Sequence, residues 1–220
     1  MSALPEREPS TGRERPRPLF VGVAPFGVAP LLIATANRGK YKEFSELLPG
    51  VELVFAPDRV PLDVEETGSS YAANAVRKAR AWAAAAGLPS LADDSGLEVE
   101  ALGGRPGLRS ARAAKGTDAD RNRWLLAEME SLGGGERGRR ARFVAAVALS
   151  VPGQWTVVRE GVCEGRLAEA ETGSLGFGYD SLFIPDGFDA SFGELPASVK
   201  NRISHRGRAV RALLEFLENR

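Results

Sequence analysis

Four consecutive apolar positions, Leu31-Leu32-Ile33-Ala34, open the regular part of this chain and predict a buried strand. Asn37 follows as the natural cap of a helix whose apolar stripe is Tyr41, Phe44, Leu47 and Leu48. Val51, Leu53 and Phe55 recur at every second residue and predict a second strand. Tyr71 to Ala86 is alanine-rich with high helix propensity, and Gly87 and Pro89 stop it. Two short strands, Ser90 to Ala92 and Leu97 to Leu102, are expected to flank a turn at Asp93-Asp94-Ser95-Gly96. Thr117 and Asp120 make a capping-box-like start for a helix carrying Leu125, Met129 and Leu132, which Gly133-Gly134-Gly135 ends as a flexible loop. Phe143 to Val151 and Thr156 to Val162 read as a hairpin about Pro152-Gly153. Val210, Leu213, Leu214 and Leu217 form the stripe of a last helix. Helices and strands interleave without an internal repeat, which predicts a mixed α/β fold.

Composition narrows the classes of function. The chain has 220 residues, 43% of them hydrophobic and 26% charged, enough for one good core. A single domain over 29–220 is expected. The formal net charge is zero, so no global basic field favours nucleic acid or a membrane surface. One cysteine, Cys163, excludes an internal disulfide and points to a reducing compartment, the cytoplasm. One histidine, His205, makes a His-based zinc site or a Ser-His-Asp relay hard to build, and no nucleophile elbow appears. Arg13, Arg15 and Arg17 ahead of Leu19 to Ala36 imitate a signal peptide. Pro25 and Pro30 break that run, and the basic part is long and rich in proline and glutamate, so residues 1–28 are expected to form a flexible tail.

The densest chemistry is Asp93-Asp94-Ser95-Gly96. Adjacent carboxylates repel and raise each other's pKa unless a cation lies among their ligands, and Mg²⁺ with a phosphate is the simplest such cation. A helix cap or an Asx-turn would also suit this tetrapeptide. Thr35-Ala36-Asn37-Arg38-Gly39-Lys40 lies between a strand and a helix, where free N–H groups, the helix dipole and a lysine favour phosphate. Its bland alternative is an N-cap followed by a solvated lysine. Glu65-Glu66-Thr67-Gly68 adds carboxylates, or simply complements a helix dipole. Either acid of each pair, Glu65 or Glu66, Asp93 or Asp94, is free to face a site. Asn74 and Lys78 share one helix face. Gly176-Phe177-Gly178-Tyr179-Asp180 places two aromatics and an acid between glycines, able to stack a flat ring or to fill a core. Ser204 caps the last helix, and His205 and Arg206 sit in its first turn against the dipole, a placement that often serves a site.

In this order the motifs resemble the inosine/xanthosine triphosphate pyrophosphatases, which clear noncanonical purine nucleotides from the nucleotide pool. The resemblance runs from about Leu32 to Leu217 and includes Pro106-Gly107, Ser110-Ala111-Arg112 and Lys200 besides the motifs above. Ser181 replaces a usual proline, Gly193 a usual alanine and Ala36 a common glycine. The resemblance implies a mixed curved sheet flanked by helices, with two lobes around a nucleotide cleft. It implies Asp94 as general base and metal contact, Glu66 as a further metal ligand, and Mg²⁺ as cofactor with Mn²⁺ as substitute. Thr35, Asn37, Lys40 and Lys78 would hold the triphosphate, with Ala36, Arg38 and Gly39 completing the phosphate loop. Ser95 would contact substrate beside the metal. Phe177, Gly178, Tyr179 and Asp180 would line the base pocket, and Lys200, His205 and Arg206 would close on the nucleotide. Donors at His205 or Arg206 would pair with a 6-oxo purine and be left unpaired by adenine. The implied reaction converts ITP, dITP or XTP to the monophosphate and pyrophosphate, in a homodimer. Other modified nucleotides as substrates, or a non-catalytic nucleotide sensor, are the alternatives. The acids Glu66, Asp93 and Asp94 speak against a mere binder of polyanions.

Overall fold

The structure, a computed structural model, describes residues 30–133 and 138–219. The expected tail at 1–28, and Gly134 and Gly135, lie outside them. Among the described residues six strands form one mixed sheet in the order β2-β1-β3-β4-β5-β6. β1 (Leu31–Ile33) lies between β2 (Leu53–Phe55) and β3 (Ser90–Val99), parallel to both. β4 (Arg140–Ser150), β5 (Thr156–Leu167) and β6 (Phe183–Pro185) continue the sheet antiparallel. The helices are α1 (Arg38–Leu47), α2 (Tyr71–Ala86), α3 (Asp118–Ser131), α4 (Ala197–Ile203) and α5 (His205–Glu218).

Strand alternation sorts the core into two faces. Leu31, Ile33 and Leu91 point to one face with Ala145, Val147 and Leu149, where Phe44 of α1 and Val210, Leu213 and Leu214 of α5 cover them. Leu32, Ala92, Ala146 and Ala148 point to the other, against Ala75, Ala79 and Trp82 of α2. The small alanines on both surfaces let α2 lie close. A third cluster fills the far end, where Leu97, Phe143, Leu182, Phe183 and Phe192 meet Leu125 and Met129 of α3. The chain leaves β1 through α1 to reach β2 on one side and returns through α2 to β3 on the other. The carboxyl end of β1 is thus a switch point, where open α/β sheets place their ligands.

The largest departure from expectation lies at Asp93-Asp94, which are not in a turn. β3 runs unbroken from Ser90 to Val99, every residue in register with β4. The paired carboxylates are tolerated in a strand because alternation sends them to opposite faces, where each meets cations. Gly96 also belongs to the strand: a Cβ there would meet the Gly107 carbonyl at 2.3 Å. Glu100–Leu102 form a 3₁₀ turn rather than the end of a strand. Leu132 follows the end of α3 and is 55% exposed, outside the core. β6 and α4 were not foreseen: three residues carry no period, and α4 is barely two turns.

α5 crosses β5 at close range because Gly161 has no side chain. A Cβ at that position would sit 2.2 Å from the His205 carbonyl and 2.5 Å from the Ala209 nitrogen. Gly161→Ala therefore forces two backbones apart and is expected to cost about 1–3 kcal/mol, read as a lower urea midpoint with unchanged slope. A midpoint equal to that of the parent would show the contact to be slack.

Candidate active site

Asp93 shares its face with Leu91, so its carboxylate points toward α1 and α5. There Arg206 donates to Oδ2 from Nε at 3.1 Å and from Nη2 at 2.8 Å, while Lys40 Nζ lies 3.2 Å from Oδ1. Arg206 also pairs with Glu43 and donates to Ser95 Oγ at 3.0 Å. Lys200 joins the chain of charges, 2.6 Å from Glu43 Oε1 and paired with Asp180. Asp93, Glu43, Asp180, Lys200 and Arg206 are all buried. Burial pushes the Asp93 carboxyl up, but Arg206 and then Lys40 outweigh it and hold it far below the usual range. Burial opposes the Arg206 charge, yet Asp93 and Glu43 raise it further above its ordinary value. Burial lowers the Lys40 ammonium against the pull of Asp93. Burial raises the Asp180 carboxyl in spite of Lys200.

Asp94 shares its face with Ala92 and points toward α2. Asn74 Nδ2 donates to its Oδ2 at 2.8 Å, and Lys78 Nζ lies 3.8 Å from its Oδ1. Lys78 also bonds Glu66 Oε1 at 2.5 Å, and Arg112 reaches Glu66 Oε2 at 3.3 Å. The Gly68 N–H donates to Asn74 Oδ1 at 2.7 Å, fixing the amide so that its NH₂ faces Asp94. Burial raises the Asp94 carboxyl; Lys78 and Asn74 pull it down, Glu66 adds to the rise, and it ends above its ordinary value. Burial also raises Glu66, but Lys78 outweighs it and the net shift is downward. The two neighbours of one dipeptide thus differ in kind. Asp93 is held as an anion far below the usual range, and Asp94 is shifted the other way, above its ordinary value.

The structure brings most of the expected residues to this double-sided cleft. Asn37 caps α1, its Oδ1 accepting from Lys40 N at 3.0 Å, and the Thr35 hydroxyl accepts from Asn37 N at 3.1 Å. Ala36 is exposed at the tip of the same loop. Gly39 packs under the Phe177 ring so closely that a Cβ would lie 2.6 Å from it. Arg38 turns away, its guanidinium 4.6 Å from the Phe55 ring centre and 3.9 Å from Asp58. A cavity on the α1–α5 face is bordered by Asn37, Lys40, Ser95, Phe177, Lys200 and His205 among others. His205 stacks on Phe143, ring centres 4.6 Å apart, with a buried Nδ1 that has no hydrogen-bond partner. Burial, then Arg206 and Lys200, hold its imidazole well below its ordinary pKa, hence neutral. Tyr179 is only 4% exposed and joins the apolar core; its hydroxyl donates to the Ser110 carbonyl at 3.0 Å and is pushed up to about 12 by burial. Both aromatics border the cavity, Phe177 with its ring over Gly39 and Tyr179 while packed into the core. Glu65 is exposed, so Glu66 is the acid of that pair that enters the site.

Sequence reasoning missed Glu43, Asp118 and Phe143. Glu43 stands one helical turn after Lys40, beside the core residue Phe44, and an acid in that position on an apolar face was a readable signal. Phe143 carries no such mark, since an aromatic in a hairpin strand is ordinary core. Among the described residues no group of three or more His, Cys, Asp or Glu converges as a metal cage.

A mixed sheet with a polar, two-faced cleft at its switch point, acids beside lysines on one face and an aromatic-lined cavity on the other, defines a nucleotide-handling α/β protein. Residues 31–216 match the Ham1 family, and the chain belongs to it. It is 45% identical over 184 residues to a dITP/XTP pyrophosphatase of Deinococcus deserti, covering 83% of this chain and 86% of that one. It is 47% identical over 190 residues to a dITP/XTP pyrophosphatase of Symbiobacterium thermophilum, covering 85% and 94%. The solved structure of a HAM1 protein from Coxiella burnetii superimposes with a TM-score of 0.76 at 37% identity, over 87% of this chain and all of that one.

Two outcomes follow from the buried charges. Arg206→Met strands Asp93 and Glu43 without their shared partner and is expected to cost about 3–5 kcal/mol in chemical denaturation. A loss under about 1 kcal/mol would mean the acids find water instead. The second concerns pH. The unfolded chain protonates His205 near about pH 6.5, while the folded chain resists until much lower, so acidification below that point favours unfolding. Asp94 and Asp180, raised in the fold, act in the opposite sense, so the comparison must be between variants. His205→Asn is expected to flatten the fall in Tm between pH 7 and 5; an unchanged slope would place the acid sensitivity elsewhere.

Proposed function

We propose that this protein hydrolyses noncanonical purine nucleoside triphosphates, ITP, dITP and XTP, to the monophosphate and pyrophosphate with Mg²⁺. The carrying observation is the placement of Asp94 among Asn74, Lys78 and Glu66 on one face of β3, with a base-sized aromatic cavity on the other. The names borne by the Deinococcus and Symbiobacterium relatives point the same way.

The donor set suits a hard dication. Glu66 and Asp94 offer carboxylate oxygens to a common point now served by Lys78, and two protein carboxylates completed by phosphate and water are a usual arrangement for Mg²⁺. Mn²⁺ accepts the same oxygen donors. When bound, the dication supplies positive charge against the triphosphate. Lys40 and Lys78, with the Thr35–Asn37 turn and the start of α1, receive the phosphates in exchange for their present acids. Asp94, its carboxyl raised by burial, accepts the proton of the water that attacks the α-phosphorus. Asn74 keeps that carboxylate aimed. Phe177 covers the base, and His205 and Arg206, with Lys200, close the far wall. The neutral imidazole has one N–H to give and a free acceptor, so the polarity of the base edge decides the fit. A reading as homodimer in the cytoplasm is supported by the family resemblance and, for the compartment, by the single free, buried Cys163. No described helix is long and apolar enough to cross a membrane.

Incubation with dITP and MgCl₂ should release pyrophosphate; orthophosphate as the sole product would refute the reading. Asp94→Asn should lower kcat by at least about 100-fold while the thermal transition is kept. Retained turnover would remove Asp94 from the role of base. Loss of the cooperative transition would assign it to the fold instead.

A further inference from the structure

The loop that carries Phe177 is tied down by its backbone bonds with Gly193, by the Lys200–Asp180 pair and by three further bonds. The Phe177 N–H donates to Asp180 Oδ2 at 2.8 Å, and the Tyr179 hydroxyl donates to the Ser110 carbonyl at 3.0 Å. Between them the Gly178 N–H donates to Asp118 Oδ2 at 2.7 Å, a bond that spans 60 positions of sequence. Gly178 has φ +63°, which glycine adopts freely, along with many other conformations that the bond to Asp118 excludes. Asp118 opens α3 but takes no part in its capping box, which Thr117 and Asp120 complete. Its other carboxylate oxygen pairs with Arg121, which in turn donates to the Gly116 carbonyl at 3.0 Å. The carboxylate is thus fixed from behind and spends its free oxygen on Gly178. Asp118 and Arg121 border the same cavity as Phe177, Lys200 and His205, and neither Asp94 nor Glu66 borders it.

We propose that Asp118 is a positioning residue: through Gly178 it fixes Phe177 against the cavity and so sets how tightly a purine base is held. This rests on the pyrophosphatase reading above. A carboxylate accepting a backbone N–H makes a stronger bond than a neutral acceptor. A loop fixed beforehand loses no freedom when the base arrives, whereas a loose one must be ordered by the substrate itself. The effect falls on binding rather than on proton transfer, because Asp118 acts in the base cavity and Asp94 on the opposite face of β3.

The test compares Asp118→Ala and Asp118→Asn with the parent in two measurements. In dITP hydrolysis, Asp118→Ala is expected to raise KM about tenfold or more with kcat within about threefold, and Asp118→Asn, which keeps an acceptor, to recover most of the loss. In hydrogen exchange of the substrate-free protein, residues 175–181 are expected to exchange faster in Asp118→Ala and near the parent rate in Asp118→Asn, with 121–131 unchanged. A lower kcat at unchanged KM, an unaltered loop exchange, or faster exchange through α3 itself would each overturn the proposal. If the parent protein leaves dITP intact, the pyrophosphatase reading fails, and exchange at 175–181 alone decides whether Asp118 holds the loop.

Discussion

One buried guanidinium holds the site together. Arg206 is 2% exposed, and it ties β3 to α1 by bonding Asp93 and Glu43 at once. Removing such a charge from water costs several kcal/mol, which only well-placed opposite charges offset. Two acids, a serine hydroxyl and the Phe177 ring 5.8 Å away meet that demand here. The consequence reaches back along the chain. Arg206 is placed by the first turn of α5, whose closeness to β5 depends on Gly161, and Ser204 caps that turn by accepting from Gly207 N at 3.1 Å. The position of this cation at the cavity is therefore set by a glycine and a serine that do not border the cavity.

Asp93 and Asp94 show how a strand turns one dipeptide into two devices. In a turn, two adjacent carboxylates would share one solvent region and titrate against each other. In a strand, the backbone lies between them, and each is governed by its own face. Toward α5 the cations outweigh burial and the acid is pinned as an anion; toward α2 burial outweighs one lysine and one amide, and the acid rises. Two adjacent acids can be given such different surroundings only where extended backbone turns their side chains to opposite sides.

Much of this was legible in the chain. The apolar run at Leu31, the alanine helix ended by Gly87, the capping box at Thr117 and the stripe of α5 fall where pattern places them, because each rests on local chemistry. The residues at 35–40 and Glu66 were recognisable as polar groups at the ends of elements, and Asn74 and Lys78 as a pair one turn apart on one helix face. What misled was the Asp-Asp-Ser-Gly sequence, whose local preference is a turn. Ten consecutive pairings with β4 and cations on both faces override that preference, and both are long-range facts. Tyr179 plays both parts that its sequence allowed. Between glycines it read as a ring for a ligand or for a core, and it borders the cavity while its hydroxyl reaches the Ser110 carbonyl and its ring joins the core. Only the relative placement of α3 and the 107–112 turn decides this, and no window of sequence contains both.

The resting charges also bear on how a polyphosphate enters. Every lysine of the cleft already has a carboxylate partner: Lys40 has Asp93, Lys78 has Glu66 and Asp94, and Lys200 has Glu43 and Asp180. A triphosphate does not find bare cations; it must win them from acids. For Lys200 that exchange is costly, because both of its acids are buried and would be left short of charge. For Lys78 it is cheaper on the Glu66 side, since Glu66 is only partly buried and has Arg112 at its other oxygen, while the buried Asp94 keeps Asn74. Glu66 is therefore the acid most easily parted from its lysine, and Lys200 is the lysine most firmly held, by Glu43 and by the same Asp180 that accepts from the Phe177 N–H.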